Sequence, residues 1–148
     1  MPVNPELTGR AFAPTASYQV GREKVREFAR AVSAASPLHH DPEAARLAGY
    51  DDVIAPPTFP VVMQELTVAQ LLAEPDAGID YSRVVHGDQR FVHSRAIVAG
   101  DELTATLAVA SVKQLGPHSM IVLESTVADA HGEHVVTCIS TLVVRGDE

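Results

Sequence analysis

At 148 residues and 15.8 kDa, with 46% apolar and 20% charged residues, the chain is long and apolar enough for one packed domain spanning 1–148, which argues against two domains and against disorder. Acidic residues outnumber basic ones, 19 to 11, and the net charge of −8 disfavours a nucleic acid or an anionic membrane as partner. The lone Cys138 excludes an intramolecular disulfide and a thiolate zinc site, and with neither an apolar leader nor a run of about 18 apolar residues, a cytoplasmic protein is expected.

In chain order, Val25, Phe28, Ala29 and Val32 fall at i, i+3, i+4 and i+7 among charged residues, which predicts an amphipathic surface helix over 22–34, stopped by Pro37. A two-turn helix over 42–47 follows, with Asp41 as N-cap, Pro42 at the first helical position and Gly49 closing it. A longer helix is predicted over 58–72. Phe59, Val62, Met63, Leu66 and Ala69 make its stripe, and Val61, Val68, Leu71 and Leu72 broaden it enough to require burial against a sheet.

The second half changes period. Segments 84–92, 102–113, 119–128 and 135–144 are rich in Val, Ile, Leu and Thr and are separated by turn residues, which predicts four strands, the last three an antiparallel meander. One long apolar helix before a run of antiparallel strands predicts an α+β chain in the hot-dog arrangement, a curved antiparallel sheet wrapped around a long central helix. Such a sheet ends in an exposed edge strand, so pairing with a second subunit is expected.

Chemistry-bearing types are densest in Ser36-Pro37-Leu38-His39-His40-Asp41-Pro42-Glu43, a turn between helices. Imidazole is the side chain best suited to general acid–base work near neutrality, although a histidine in a loop is more often only solvated. No glycine-rich phosphate loop, Gly-x-Ser-x-Gly elbow or His-Glu-x-x-His helix occurs, so neither a cofactor nor a metal is expected. Residues 81–100 carry Arg83, Arg90 and Arg95 against Asp88, a local excess of +2 in a chain otherwise at −10. Arg83, Arg90 and Arg95, with Arg90 and Arg95 foremost, are therefore candidates for a local anion site, the alternative being pairing with the abundant carboxylates.

The stretch from Ser36 to Ala45, followed by Ala48-Gly49-Tyr50-Asp51-Asp52-Val53-Ile54-Ala55, resembles the hydratase motif of the MaoC-like (R)-specific enoyl hydratases and 3-hydroxyacyl dehydratases. The helix from Arg22 to Arg30, Ala55-Pro56-Pro57-Thr58-Phe59, Tyr81-Ser82-Arg83-Val84-Val85-His86-Gly87-Asp88-Gln89 and Val98-Ala99-Gly100-Asp101 resemble a narrower group, the actinobacterial FAS1-like dehydratase N-terminal proteins, which include first subunits of heterodimeric hydroxyacyl-ACP dehydratases.

The resemblance implies that His39 is the catalytic histidine. It equally implies that Ala34 stands where the family has its catalytic aspartate, Ser36 where it has asparagine, and Pro57 where a glycine N–H stabilises the enolate oxygen beside the substrate. Proline has no N–H to give. Asp41 matches a further aspartate of the motif and reads as a helix cap or as a catalytic substitute. Asp88 is the better substitute for the missing carboxylate, or else a strand-end carboxylate paired with Arg90.

Four readings stay open: a dehydratase subunit that binds the acyl chain of an acyl-CoA or acyl carrier protein thioester beside a MaoC-like catalytic subunit in a heterodimer; an autonomous homodimeric enoyl-thioester hydratase using His39; a non-enzymatic acyl-thioester binding module; and a thioesterase.

Overall fold

The computed structural model describes residues 2–147. Its elements are β1 (Tyr18–Gln19), α1 (Arg22–Ala31), α2 (Pro42–Leu47), α3 (Val61–Leu72), β2 (Val84–His93), β3 (Glu102–Leu115), β4 (His118–Ala128) and β5 (His134–Val144). The strands form one antiparallel sheet in the order β1-β3-β4-β5-β2. The expected meander is β3-β4-β5. The strand preceding it in sequence does not lie beside β3 but crosses to the far edge against β5, and the two-residue β1, which no sequence signal announced, pairs with β3 at the other edge.

The three helices follow the sequence with two corrections. α1 ends at Ala31 rather than at 34, because Ser33 adopts φ 58° and the Ala34 N–H bonds back to the Ala29 carbonyl at 2.8 Å. That is a left-handed helix stop made without the glycine that usually signals one. α3 starts at Val61 rather than at 58. Pro60 biases the residue before it away from helix, and residues 57–60 form a turn in which the Phe59 N–H bonds to the Pro56 carbonyl at 2.9 Å. α2 matches its predicted span, with Asp41 accepting from the Glu43 N–H at 2.9 Å as its cap.

α3 lies in the concave face of the sheet. Phe59, Met63, Leu71, Leu103, Leu107, Ile121 and Leu123 are fully buried between them, and Phe28 of α1 meets Phe59 edge-to-face with ring centroids 5.3 Å apart. Of the predicted apolar face of α3, Met63 and Leu71 are buried, but Leu66 is 40% exposed and the polar Gln64 and Thr67 are buried instead. The interior therefore divides into two apolar clusters. One gathers around Phe59, Met63, Phe91 and Cys138, the other around Leu71, Leu107, Leu123 and Leu142.

Candidate functional site

His39 ends a 3-10 turn, Pro37–His39, which Ser36 caps by accepting from the Leu38 N–H. The turn is clamped to Ile54 in both directions: the Ile54 N–H donates to the Leu38 carbonyl at 2.9 Å, and His39 Nδ1–H donates to the Ile54 carbonyl at 2.7 Å. Ile54 is itself fixed, because residues 53–55 run antiparallel to 97–99 through Ala55 N–H to Ile97 at 2.8 Å and Ala99 N–H to Val53 at 3.0 Å. Asp52 anchors the start of that segment. It accepts from Arg22 Nε at 3.0 Å and Nη2 at 2.7 Å and from the Val53 N–H at 2.7 Å. The Arg22 guanidinium bonded to both its oxygens holds the Asp52 carboxyl below its ordinary value.

With Nδ1 committed as donor to a carbonyl, the neutral His39 ring carries its lone pair on Nε2, the arrangement a general base requires. His39 is nearly buried and lines a pocket of about 370 Å³ together with Ile54, Pro56, Pro57, His93 and Ile97. His93 was not singled out in the sequence. Its Nε2–H donates to the Pro57 carbonyl at 2.9 Å, tying the end of β2 to the approach to α3. A histidine near the end of a strand, 54 residues from His39, carries no signal in a single sequence that it shares this pocket.

The structure thus brings His39 and Pro57 together. The other candidates lie elsewhere. Ala34 is outside the pocket lining, and its carbonyl takes His40 Nε2–H at 3.0 Å. Asp88 is exposed on β2, five residues from His93 and hence about 16 Å along the strand. Gly87 is the extra residue of a bulge between the pairs His86–Leu142 and Asp88–Thr141. Arg95 is bonded to Asp101 at 2.8 and 3.1 Å and to Asp129 at 3.3 Å, and Arg83 to Asp80 and Asp147. Arg90 is exposed and forms no ion pair among the described residues. Burial pushes the Cys138 thiol up to about 12, which fits a small core residue and not a nucleophile.

The family model of the FAS1-like dehydratase domain region matches residues 6–138. Among curated relatives, the UPF0336 protein of Leifsonia xyli is 66% identical over 148 residues, covering 100% of this chain and 99% of its own length. That of Streptomyces coelicolor is 46% identical over the same span. Among solved structures, a chain of the Mycobacterium tuberculosis HadBC (3R-hydroxyacyl-ACP dehydratase) complex superposes with a TM-score of 0.83 at 33% identity, covering 93% of this chain and 96% of that one. A MaoC-like dehydratase also superposes with a TM-score of 0.83, at 34% identity, over 94% of this chain and 42% of its own length. The hot-dog fold is shared more widely, with the (R)-hydratase of A. caviae at a TM-score of 0.66 and 22% identity.

Proposed function

The chain belongs to the FAS1-like dehydratase family, within the MaoC-like hot-dog dehydratases and hydratases, and from that premise we propose that it is the acyl-chain-binding subunit of a 3-hydroxyacyl-thioester dehydratase whose acid–base groups come chiefly from a MaoC-like partner. The reaction interconverts a 3-hydroxyacyl and a trans-2-enoyl thioester. A base removes the C2 proton, the thioester oxygen takes up the negative charge, and the C3 hydroxyl leaves as water once protonated. The observation that carries the reading is the composition of the His39 pocket. His39 has a lone pair at Nε2, but position 34 offers a methyl group outside the lining, and Pro57 has no N–H to give an oxyanion.

The far edge of the sheet supports a partner. Among the described residues β2 pairs within the sheet with β5 alone, and Val85 and Val92 on it are 48% and 51% exposed. Arg90 on the same strand forms no ion pair among the described residues and is assigned to the carrier phosphates. Arg95 contributes only if it leaves Asp101 and Asp129. The second reading, an autonomous homodimer, is favoured by the fixed tautomer of His39 alone.

Hydration of crotonyl and longer trans-2-enoyl thioesters, by the purified chain alone and with a MaoC-like partner, tests the assignment. Activity that requires the partner is the expected result. Full activity of the chain alone, lost on His39→Ala, would replace it with the homodimeric reading.

A further inference from the structure

α3 and β2 run antiparallel along the two sides of one cleft. At one end the Pro57 carbonyl meets His93 beside the His39 pocket. Toward the other end a groove of about 500 Å³ runs along α3 from Val61 and Gln64 to Val68 and Leu72, opposite Val84 and His86 of β2. Midway, the side-chain amides of Gln64 and Gln89 bridge the cleft with two reciprocal bonds, Gln64 Nε2–H to Gln89 Oε1 at 2.9 Å and Gln89 Nε2–H to Gln64 Oε1 at 2.8 Å.

We propose that this amide pair is a specificity element: a polar bar across the cleft that sets the length of acyl chain the His39 pocket accepts. The proposal rests on the reading of that pocket as an acyl-thioester site. Gln64 is 4% exposed, so its amide has no water to turn to if a hydrocarbon chain displaces its partner. The polarity continues across the interior. The Thr67 and Ser125 hydroxyls bond to each other at 2.8 Å, and Ser140, the cross-strand neighbour of Gln89, buries an Oγ that has no hydrogen-bond partner among the described residues. These groups lie between the two apolar clusters. An alkyl chain growing from the His39 end packs first against the cluster of Phe59, Met63 and Phe91. It then meets amides and hydroxyls about 13 Å along β2 from His93.

Up to the bar, each methylene buried tightens binding about fourfold. At the bar that gain stops, because passage breaks two part-buried hydrogen bonds and leaves the buried amide of Gln64 without its partner.

The test is the dissociation constant of the full chain for saturated acyl-CoA thioesters from butyryl to palmitoyl, measured by calorimetry on the wild type and on Gln64→Leu/Gln89→Leu. The double substitution removes both polar groups together and leaves no amide unsatisfied. The expected wild-type affinity rises with chain length to a break and then levels, and the break moves to longer chains in the variant. Thermal melts confirm folding. If the double variant does not fold, Gln64→Met takes its place, since Gln89 is part-exposed and can turn to solvent. A folded variant whose break stays where it was overturns the bar while leaving the acyl site intact, as does a wild-type affinity that climbs without interruption across the series. Failure to bind any of the thioesters overturns the acyl-site reading and the bar with it.

Discussion

Ala34→Asp combined with Pro57→Gly should turn the isolated chain into an enoyl-thioester hydratase. The structure indicates why both changes can be made without dismantling their surroundings. His40 holds residue 34 through its main-chain carbonyl at 3.0 Å, and His93 holds residue 57 through its carbonyl at 2.9 Å, so both bonds survive a change of side chain. Residue 34 is part-exposed, so a carboxylate there keeps contact with water. Pro57 to glycine frees an N–H in the turn just before α3, at a residue that lines the His39 pocket, to serve as the oxyanion donor. A donor of that kind supplies about 10²–10³ in rate. Position 34 lies outside the present lining, so its carboxylate supplies a further 10²–10⁴ or so only where the longer side chain reaches His39. The product is on the order of 10⁴–10⁷ over the unmodified chain, and groups that act as a unit make either single change much weaker than its share. Losing the proline restraint costs about 1 kcal/mol of stability, so a thermal melt precedes the rate measurement. The assay is the loss of enoyl-thioester absorbance with crotonyl-CoA. A folded double variant that binds the thioester without hydrating it refutes the reasoning, as does a single variant that delivers most of the gain.

In that double variant, where His39 is the working base, His39→Ala should lower the rate by about 10²–10⁴, with a much smaller effect from His40→Ala, whose ring is spent on the Ala34 carbonyl; equal losses would contradict the assignment. Arg90→Glu should raise the dissociation constant for acyl-CoA and flatten its salt dependence, whereas Arg95→Ala should first lower the melting temperature by leaving Asp101 and Asp129 unpaired; the reverse pattern would move the carrier contact to Arg95. Asp52, held below its ordinary value by Arg22, contributes stability that is complete above about pH 4 and lost as pH falls through its lower folded-state value. Asp52→Asn should therefore lower the melting temperature at neutral pH and flatten its acid decline, and parallel curves for the two proteins would exclude that role. Cys138, its thiol pushed up to about 12 by burial, should resist iodoacetamide at about pH 8 in the folded chain and react fully in denaturant, as read by mass.

The elements that were legible in the sequence are those whose signal is local. Alternation reports directly on burial in β3, β4 and β5, and those strands lie within two residues of their predicted ends. α2 carries its own cap, its own Pro42 and its own Gly49 at φ 98°. α1 overran because its stop uses Ser33 in a conformation that sequence reserves for glycine or asparagine. β1 and the position of β2 were illegible for a different reason: both are fixed by pairing across the whole sheet, and a two-residue strand has no period to read.

The site divides along the same line. His39 was found because its turn, its Ser36 cap and its neighbours are contiguous, and its nearness to Pro57 follows from the chain returning through Ile54 only 15 residues later. His93 and the Gln64–Gln89 pair join positions 36 and 25 residues apart through a cleft that exists only once β2 has crossed to the far edge. The hydrophobic count on α3 pointed away from Gln64, since Leu66 and Val62 score higher and a glutamine on a buried face needs a partner that the helix itself does not contain. That Leu66 stands 40% exposed while Gln64 and Thr67 are buried therefore has one physical reading. The face of α3 turned to the sheet is specified by hydrogen bonds as well as by apolar area.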